Sequence, residues 1–326
     1  MNTQGYYLDH PNTLRDHLAK SFQIDPPTSD LADQRPPLIS PKGTLFAERE
    51  NLFVFDGECF RETLPTTAPF VLFGVQSCDL TAISYQDQFF AQDPYYMARR
   101  KQVVLVGIDC LTPCEKGFCP TVDAGPGVNT QRADIILHQR SDADWLLLVC
   151  SPKGKQALDG LSLPPANESE YQNRDQRIAA CVDQFDDDDY LQQGIKAVNQ
   201  NRIPDQLWQQ LGIQCLTCSG CTTLCPTCSC FGAWDRQEDN GQVYRQRYWD
   251  SCLYEGFQRE ASQHNPSEEA GERVKRFWTH KFGDNFAETF GRYGCVGCGR
   301  CEQTCPGIIG VHSVMKRIAP HATDNY

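Results

Sequence analysis

The residues able to do chemistry in this chain are its cysteines, and two stretches of them stand out. Cys215, Cys218, Cys221 and Cys225 are followed by Pro226; Cys295, Cys298, Cys301 and Cys305 are followed by Pro306. Each stretch is a complete C-x2-C-x2-C-x3-C-P run, the ligand pattern of a bacterial-type 4Fe–4S cluster. Three closely spaced thiolates can cap three irons of a cubane, and the proline turns the chain away because it cannot continue a helix. In two-cluster proteins the fourth cysteine of one run serves the other cluster. The pattern therefore predicts Cys215, Cys218, Cys221 and Cys305 as ligands of a first cluster, and Cys295, Cys298, Cys301 and Cys225 of a second. The competing chemistry is zinc, which needs four ligands and is usually met by two separated C-x2-C pairs. A triplet with a fourth cysteine before proline, occurring twice, fits iron–sulfur better.

A further group lies in the N-terminal half. Residues 70–75 and 102–108 are apolar runs that read as buried strands, joined through a helix near residues 80–90 that Ser77 or Asp79 would cap. Two such strands predict a parallel pair in an α/β domain, with their C-terminal ends side by side where α/β sheets place their sites. Cys78 and Cys110 lie just past those ends, and the next loop supplies Cys114 and Cys119. The placement predicts a third 4Fe–4S cluster on Cys78, Cys110, Cys114 and Cys119. Zinc on the same thiolates and ordinary buried thiols remain its alternatives, since no x2-x2-x3 spacing supports it.

The other cysteines read as structural: Cys59 as a buried thiol, Cys150 and Cys181 likewise, and Cys228, Cys230 and Cys252 as small buried thiols near the clusters. Arg300 sits inside a cluster loop, able to tune a potential or to face solvent. The histidines form no ligand pair, and no glycine-rich phosphate loop follows any strand, so no flavin or nucleotide site is evident.

The elements that must position these residues follow from pattern. The chain has 326 residues, room for two domains, and 40% apolar content supports real cores. Near the N-terminus, Pro26–Pro27 and Pro36–Pro37 break regular structure, a short helix fits residues 13–22, and residues 52–55 read as a strand. Residues 133–138 and 144–149 predict a hairpin, and 205–212 and 311–318 predict helices, with Asp205 as a cap. The long spacer between Cys225 and Cys295 reads as helical. Residues 248–257 carry an aromatic face, and a helix starts at Asn265, Pro266 and Glu268 and runs to about residue 281. The expected architecture is an α/β N-terminal domain, with a small mixed or parallel sheet, over residues 1–200. An α-helical ferredoxin-like domain with two 4Fe–4S clusters follows over 201–326.

Net charge is −12, which argues against a phosphate backbone as partner; the acidic run 186–189 reads as a solvated loop. No stretch approaches the roughly 18 apolar residues of a membrane span. No secretory pattern opens the sequence, so its eighteen cysteines point to metal or redox work in the cytoplasm.

With these residues in place, the chain resembles the β-subunit family of cytoplasmic sulfhydrogenase-type NiFe hydrogenases, a group that includes the corresponding iron–sulfur component of anaerobic sulfite reductase. The matching stretches are residues 74–80 (GVQSCDL), 93–100 (DPYYMARR) and the loop from Cys110 through Phe118 and Cys119 to Pro126. In the C-terminal half they are 225–231 (CPTCSCF), 249–252 (WDSC), 280–282 (HKF) and 294–301 (GCVGCGRC). The N-terminal loop departs from the family's C-F-C element: Gly117, Phe118 and Cys119 stand there, with Cys114 upstream. The fourth N-terminal ligand is then Cys114 or the loop is remodelled. The resemblance implies a non-catalytic subunit that relays single electrons between a flavin- and NAD(P)-binding partner and a catalytic subunit of hydrogenase or sulfite reductase type. The rival readings are a self-contained iron–sulfur flavoenzyme reducing a small substrate and a zinc-stabilised scaffold.

Overall fold

Continuous apolar runs bury strands on both faces, and this chain forms its central sheet from such runs. The structure is a computed structural model and describes residues 3–25, 36–141, 144–186 and 189–323; Pro26, Pro27, Asp187 and Asp188 lie outside the described residues. The strands are β1 (Gln4–Leu8), β2 (Gln23–Asp25), β3 (Arg49–Phe55), β4 (Phe60–Glu62), β5 (Phe70–Gln76), β6 (Val103–Ile108), β7 (Ile135–Ser141), β8 (Asp144–Val149), β9 (Phe231–Gln237) and β10 (Val243–Trp249). The helices are α1 (Pro11–Leu18), α2 (Lys42–Leu45), α3 (Ser77–Phe89), α4 (Pro94–Gln102), α5 (Pro152–Ala157), α6 (Ser169–Val182), α7 (Asp189–Gln200) and α8 (Asp205–Gln214). They continue with α9 (Gly220–Thr223), α10 (Ala270–Phe282), α11 (Asp284–Phe290), α12 (Arg300–Thr304) and α13 (Val311–Ile318). No helix among the described residues is long and apolar enough to cross a membrane.

The chain divides into two compact units: Met1–Leu45, Pro65–Asp186 and Val296–Cys298 form the first, and Phe46–Leu64, Asp187–Cys295 and Gly299–Tyr326 the second. The first holds a six-stranded mixed sheet in the order β1-β8-β7-β6-β5-β2. β2, β5, β6 and β7 run parallel, while β8 and β1 close the edge antiparallel. Every residue of β5 and β6 is buried. Alternate residues of four strands, among them Val71, Phe73, Val104, Val106, Ile135, Leu137 and Leu147, share a core with Leu14 and Leu18 of α1, as a period of two requires. On β6, Gly107 admits the α3 side chain Leu80; a Cβ there would lie 2.6 Å from the leucine. α3 begins at Ser77, and the side chain of its N-cap residue Gln76 does not cap the helix. Ser77, expected to cap, donates to the Gly127 carbonyl at 2.7 Å instead. Asp93 caps α4 by accepting from the Tyr96 amide at 2.8 Å, with Pro94 at the first helical position.

The second unit joins a four-stranded antiparallel sheet, β4-β3-β10-β9, to helices. α8 and α10 cross where Gly212 faces Gly271, so close that a Cβ on Gly212 would lie 2.4 Å from the Gly271 nitrogen. Trp208, Leu211, Val274, Phe277, Trp278 and Phe282 are buried on these helices.

The units do not follow a single cut after residue 200, because β3 and β4 pair with β10 and carry residues 46–64 into the second unit. The C-terminal domain is not purely helical. Residues 248–257 end strand β10 and pass into turns and a short 3-10 segment, since Trp249 donates to the Glu48 carbonyl at 2.9 Å and Asp250 to that of Cys230 at 3.0 Å. Cys59 is exposed, in the β3–β4 turn, where Asp56 accepts from the Glu58 and Cys59 amides at 3.0 Å each. Asn265 does not cap α10 directly; it closes a turn by accepting from the Ser267 amide at 3.0 Å, and the helix starts at Ala270.

The buried pair Arg247–Glu50 ties β10 to β3, with Nε 3.1 Å from Oε1 and the guanidinium 5.3 Å and 5.2 Å from the Phe46 and Phe231 ring centres. Removing one charge strands the other out of water. Glu50→Ala is expected to cost about 3–5 kcal/mol in urea unfolding of the full chain, and the joint Glu50→Leu, Arg247→Met replacement much less.

Candidate iron–sulfur centres

Both cysteine runs fold the same way. Thr217 and Ser219 flank Cys218 with φ of 49° and 59°, and Gly297 and Gly299 flank Cys298 with φ of 63° and 73°. Left-handed residues on either side of the middle cysteine curl each loop tightly. A short helical turn then carries the third cysteine, Cys221 in α9 and Cys301 in α12. The second run meets the backbone demand with glycine. The first meets it with threonine and serine, at roughly 1–2 kcal/mol each, a cost that an assembled site must offset.

One small cavity, of about 30 Å³, is lined by Cys215, Cys218, Cys221 and Cys305. Leu253, Val274, Phe277, Trp278 and Ile309 supply its apolar wall. Three of the cysteines belong to the first run and one to the second. Burial pushes the Cys221 thiol up to about 12 and raises Cys215 as well. A thiol held neutral by burial becomes a ligand when a metal replaces its proton. The Ile309 amide points at Cys305 Sγ from 3.4 Å. Among the described residues no three of His, Cys, Asp and Glu converge on a single ion. The four thiols instead surround a space, and an all-sulfur donor set around an apolar cavity fits an iron–sulfur cluster.

Cys225, the fourth cysteine of the first run, has different surroundings. Lys281 of α10 places Nζ 3.4 Å from its Sγ and 2.8 Å from Thr227 Oγ1, and Thr227 donates to the Gly294 carbonyl at 2.8 Å, next to Cys295. A bond from the Cys228 thiol, the Lys281 ammonium and Thr227 hold Cys225 well below the usual thiol range, against the opposing effect of burial. Cys230 is lowered to about 6, first by the Cys252 thiol and also by Lys281 and Arg276. Cys225, Cys295 and Cys301 lie in the second unit, while Cys298 belongs to the first. Arg300 is 1% exposed and does not face solvent. Sequence reasoning missed Lys281 and Thr227, because nothing in local spacing says that the end of α10 meets Cys225.

In the first unit, parallel pairing sets Gln76 beside Ile108, which brings the starts of the Cys78 and Cys110 segments together. A Cβ on Gly125 would lie 3.0 Å from Cys119 Sγ and 3.2 Å from Ser77 Cβ, so the loop closes over the first turn of α3. Burial first, then Cys114, Cys119, Asp109 and Cys181, raise Cys110 well above its ordinary value. Cys119 is raised by burial, then by Cys114 and Cys181, and less by Cys298. Cys181, read from sequence as structural, is fully buried and stands within electrostatic reach of this group. Its helix explains why. On α6, Arg174 binds Asp109 and the Val128 carbonyl, and Ile178 packs against Gly127. Cys181 continues that face at i, i+4, i+7, a spacing visible in the sequence. Within the same unit Phe118 donates to the Gly297 carbonyl at 2.7 Å.

Hydrogen bonds and charge at sulfur set cluster potentials. Lys281→Met is therefore expected to lower the reduction potential of one centre in an EPR-monitored titration, with iron content unchanged; an unshifted potential would separate Lys281 from the centre.

Residues 214–309 match the family model described as a 4Fe-4S dicluster domain. The chain is 30% identical over 285 residues to Sulfhydrogenase 2 subunit beta of Pyrococcus furiosus, covering 83% of this chain and 80% of that protein. No solved structure matches. Paired cluster-binding runs and similarity over most of both chains place this protein in the sulfhydrogenase β-subunit family, as an iron–sulfur subunit of electron transport.

Proposed function

We propose that the chain relays single electrons within a multi-subunit oxidoreductase, from or to a reductase partner that binds flavin and NAD(P) on one side, and a catalytic partner of hydrogenase or sulfite reductase type on the other. The cytoplasm, where thiols stay reduced, is its compartment. Cys215, Cys218, Cys221 and Cys305 hold one 4Fe–4S cluster and Cys295, Cys298, Cys301 and Cys225 a second. The observation that carries this reading is the shared cavity, in which Cys305 of the second run joins three cysteines of the first. That exchange is the one two-cluster ferredoxins use.

A third cluster takes Cys110, Cys114 and Cys119, with Cys78 or Cys181 as its fourth ligand. Its support is the gathering of buried Cys110 and Cys119 and half-buried Cys114 past the C-terminal ends of β5 and β6. Bound clusters supply one-electron redox chemistry. The protein's own part is to hold the thiolates, exclude water with Phe277, Trp278 and Ile309, and place Lys281 at a ligand sulfur.

Iron and acid-labile sulfide on anaerobically purified protein, with EPR after reduction, are expected to give about twelve of each per chain. Cys119→Ser should remove about four iron. Cys78→Ser and Cys181→Ser then separate the ligands, since the one that serves the cluster alters its EPR signal or abolishes it and the other leaves it intact. About eight iron in the unaltered chain would end the three-cluster reading and leave the two-cluster relay standing.

A further inference from the structure

The first unit contains a second feature, away from the cavity of the cysteine runs. Along β7, Ile135 and Leu137 join the core, so alternation turns His138 and Arg140 to the opposite face. Helix α6 presents Glu170, Arg174 and Arg177 at i, i+4 and i+7. The two sets line a cavity of about 270 Å³ together with Asn173.

His138 is 1% exposed. Its Nδ1 lies 3.0 Å from Asp109 Oδ2, and its buried Nε2 has no hydrogen-bond partner among the described residues. A buried polar atom left unsatisfied costs on the order of 1–3 kcal/mol, and in a folded protein such an atom calls for a ligand or a role. Around it, Arg174 is committed to Asp109 through Nε at 2.7 Å and a terminal nitrogen at 2.9 Å. Arg140 is committed to Glu170 at 2.9 Å and 2.8 Å, and to Asp144. Arg177 differs: its guanidinium donates to the Gln139 and Arg140 carbonyls. The cavity therefore presents one guanidinium held by carbonyls, two held by carboxylates (Arg174 has Asp175 at 3.9 Å besides Asp109), and an imidazole held in place by Asp109.

We propose that this cavity binds a small oxyanion, either free or as the headgroup of a larger molecule. Arg177 takes the anionic oxygens, as guanidinium does with phosphate and carboxylate. His138 Nε2 accepts from an acidic O–H of the ligand, or donates to an oxygen when the ring carries both protons. The site sits beyond the C-terminal end of the parallel strand β6, where open α/β sheets place ligands.

The test is calorimetric titration of the full-length, iron-loaded protein with inorganic phosphate and, separately, with adenosine monophosphate. One saturable site is expected for at least one of them. Tighter binding of the nucleotide identifies a headgroup, and equal or tighter binding of phosphate a free oxyanion. Arg177→Gln, at an exposed side chain, is expected to weaken binding about tenfold or more, with iron content and melting unchanged, and Arg177→Lys to restore part of it. His138→Asn should weaken binding as well. No saturable uptake of either ligand up to about 10 mM, or uptake that Arg177→Gln leaves untouched, would overturn the proposal.

Discussion

Thiolate ligands of a cubane must surround one small space from several sides, and no single loop can do that alone. Here the cavity that gathers Cys215, Cys218 and Cys221 is completed by Cys305, from the far end of the chain. Everything between the two runs must fold so that this closure costs little. The α8–α10 crossing at Gly212 and Gly271 brings backbones within contact distance, and the aromatic side chains of α10 become the wall of the cavity. The left-handed residues in each loop are the local counterpart of the same demand. Thr217 and Ser219 accept an unfavourable backbone conformation because a looser loop would not turn its sulfurs inward.

Electrostatics distinguish the surroundings of the two runs. The cavity of Cys215, Cys218, Cys221 and Cys305 has an apolar wall, and burial is the largest influence raising Cys221. Cys225 instead has an ammonium, a hydroxyl and a thiol directed at it. Placing a buried lysine beside a sulfur stabilises added negative charge, so the same motif written twice yields two different electronic environments. A relay benefits from that difference, because electrons move directionally only between unequal sites.

The first unit builds its chemistry on a sheet. Parallel strands β5 and β6 deliver Cys78 and Cys110 side by side, and α6 lies along the loop that follows. One helix face serves two purposes there: Arg174 fixes Asp109, and Cys181 reaches the thiol group. Asp109 in turn orients His138 from the other side, so the thiol-rich loop and the arginine-lined cavity share a buried carboxylate.

The sequence by itself determined the iron–sulfur identity, because ligand spacing is a local property: C-x2-C-x2-C-x3-C-P specifies a loop, a turn and a proline stop regardless of what surrounds them. It also determined β5, β6, the hairpin β7–β8 and α13, whose apolar periods are unambiguous over their own length. Tertiary structure alone decided that residues 46–64 join the second unit, that residues up to Trp249 form a strand, that Cys59 is exposed, and that Lys281 meets Cys225 while Cys181 reaches the N-terminal thiols. In each case the deciding contact links segments far apart in the chain, and its energy comes from pairing and burial that no local window contains.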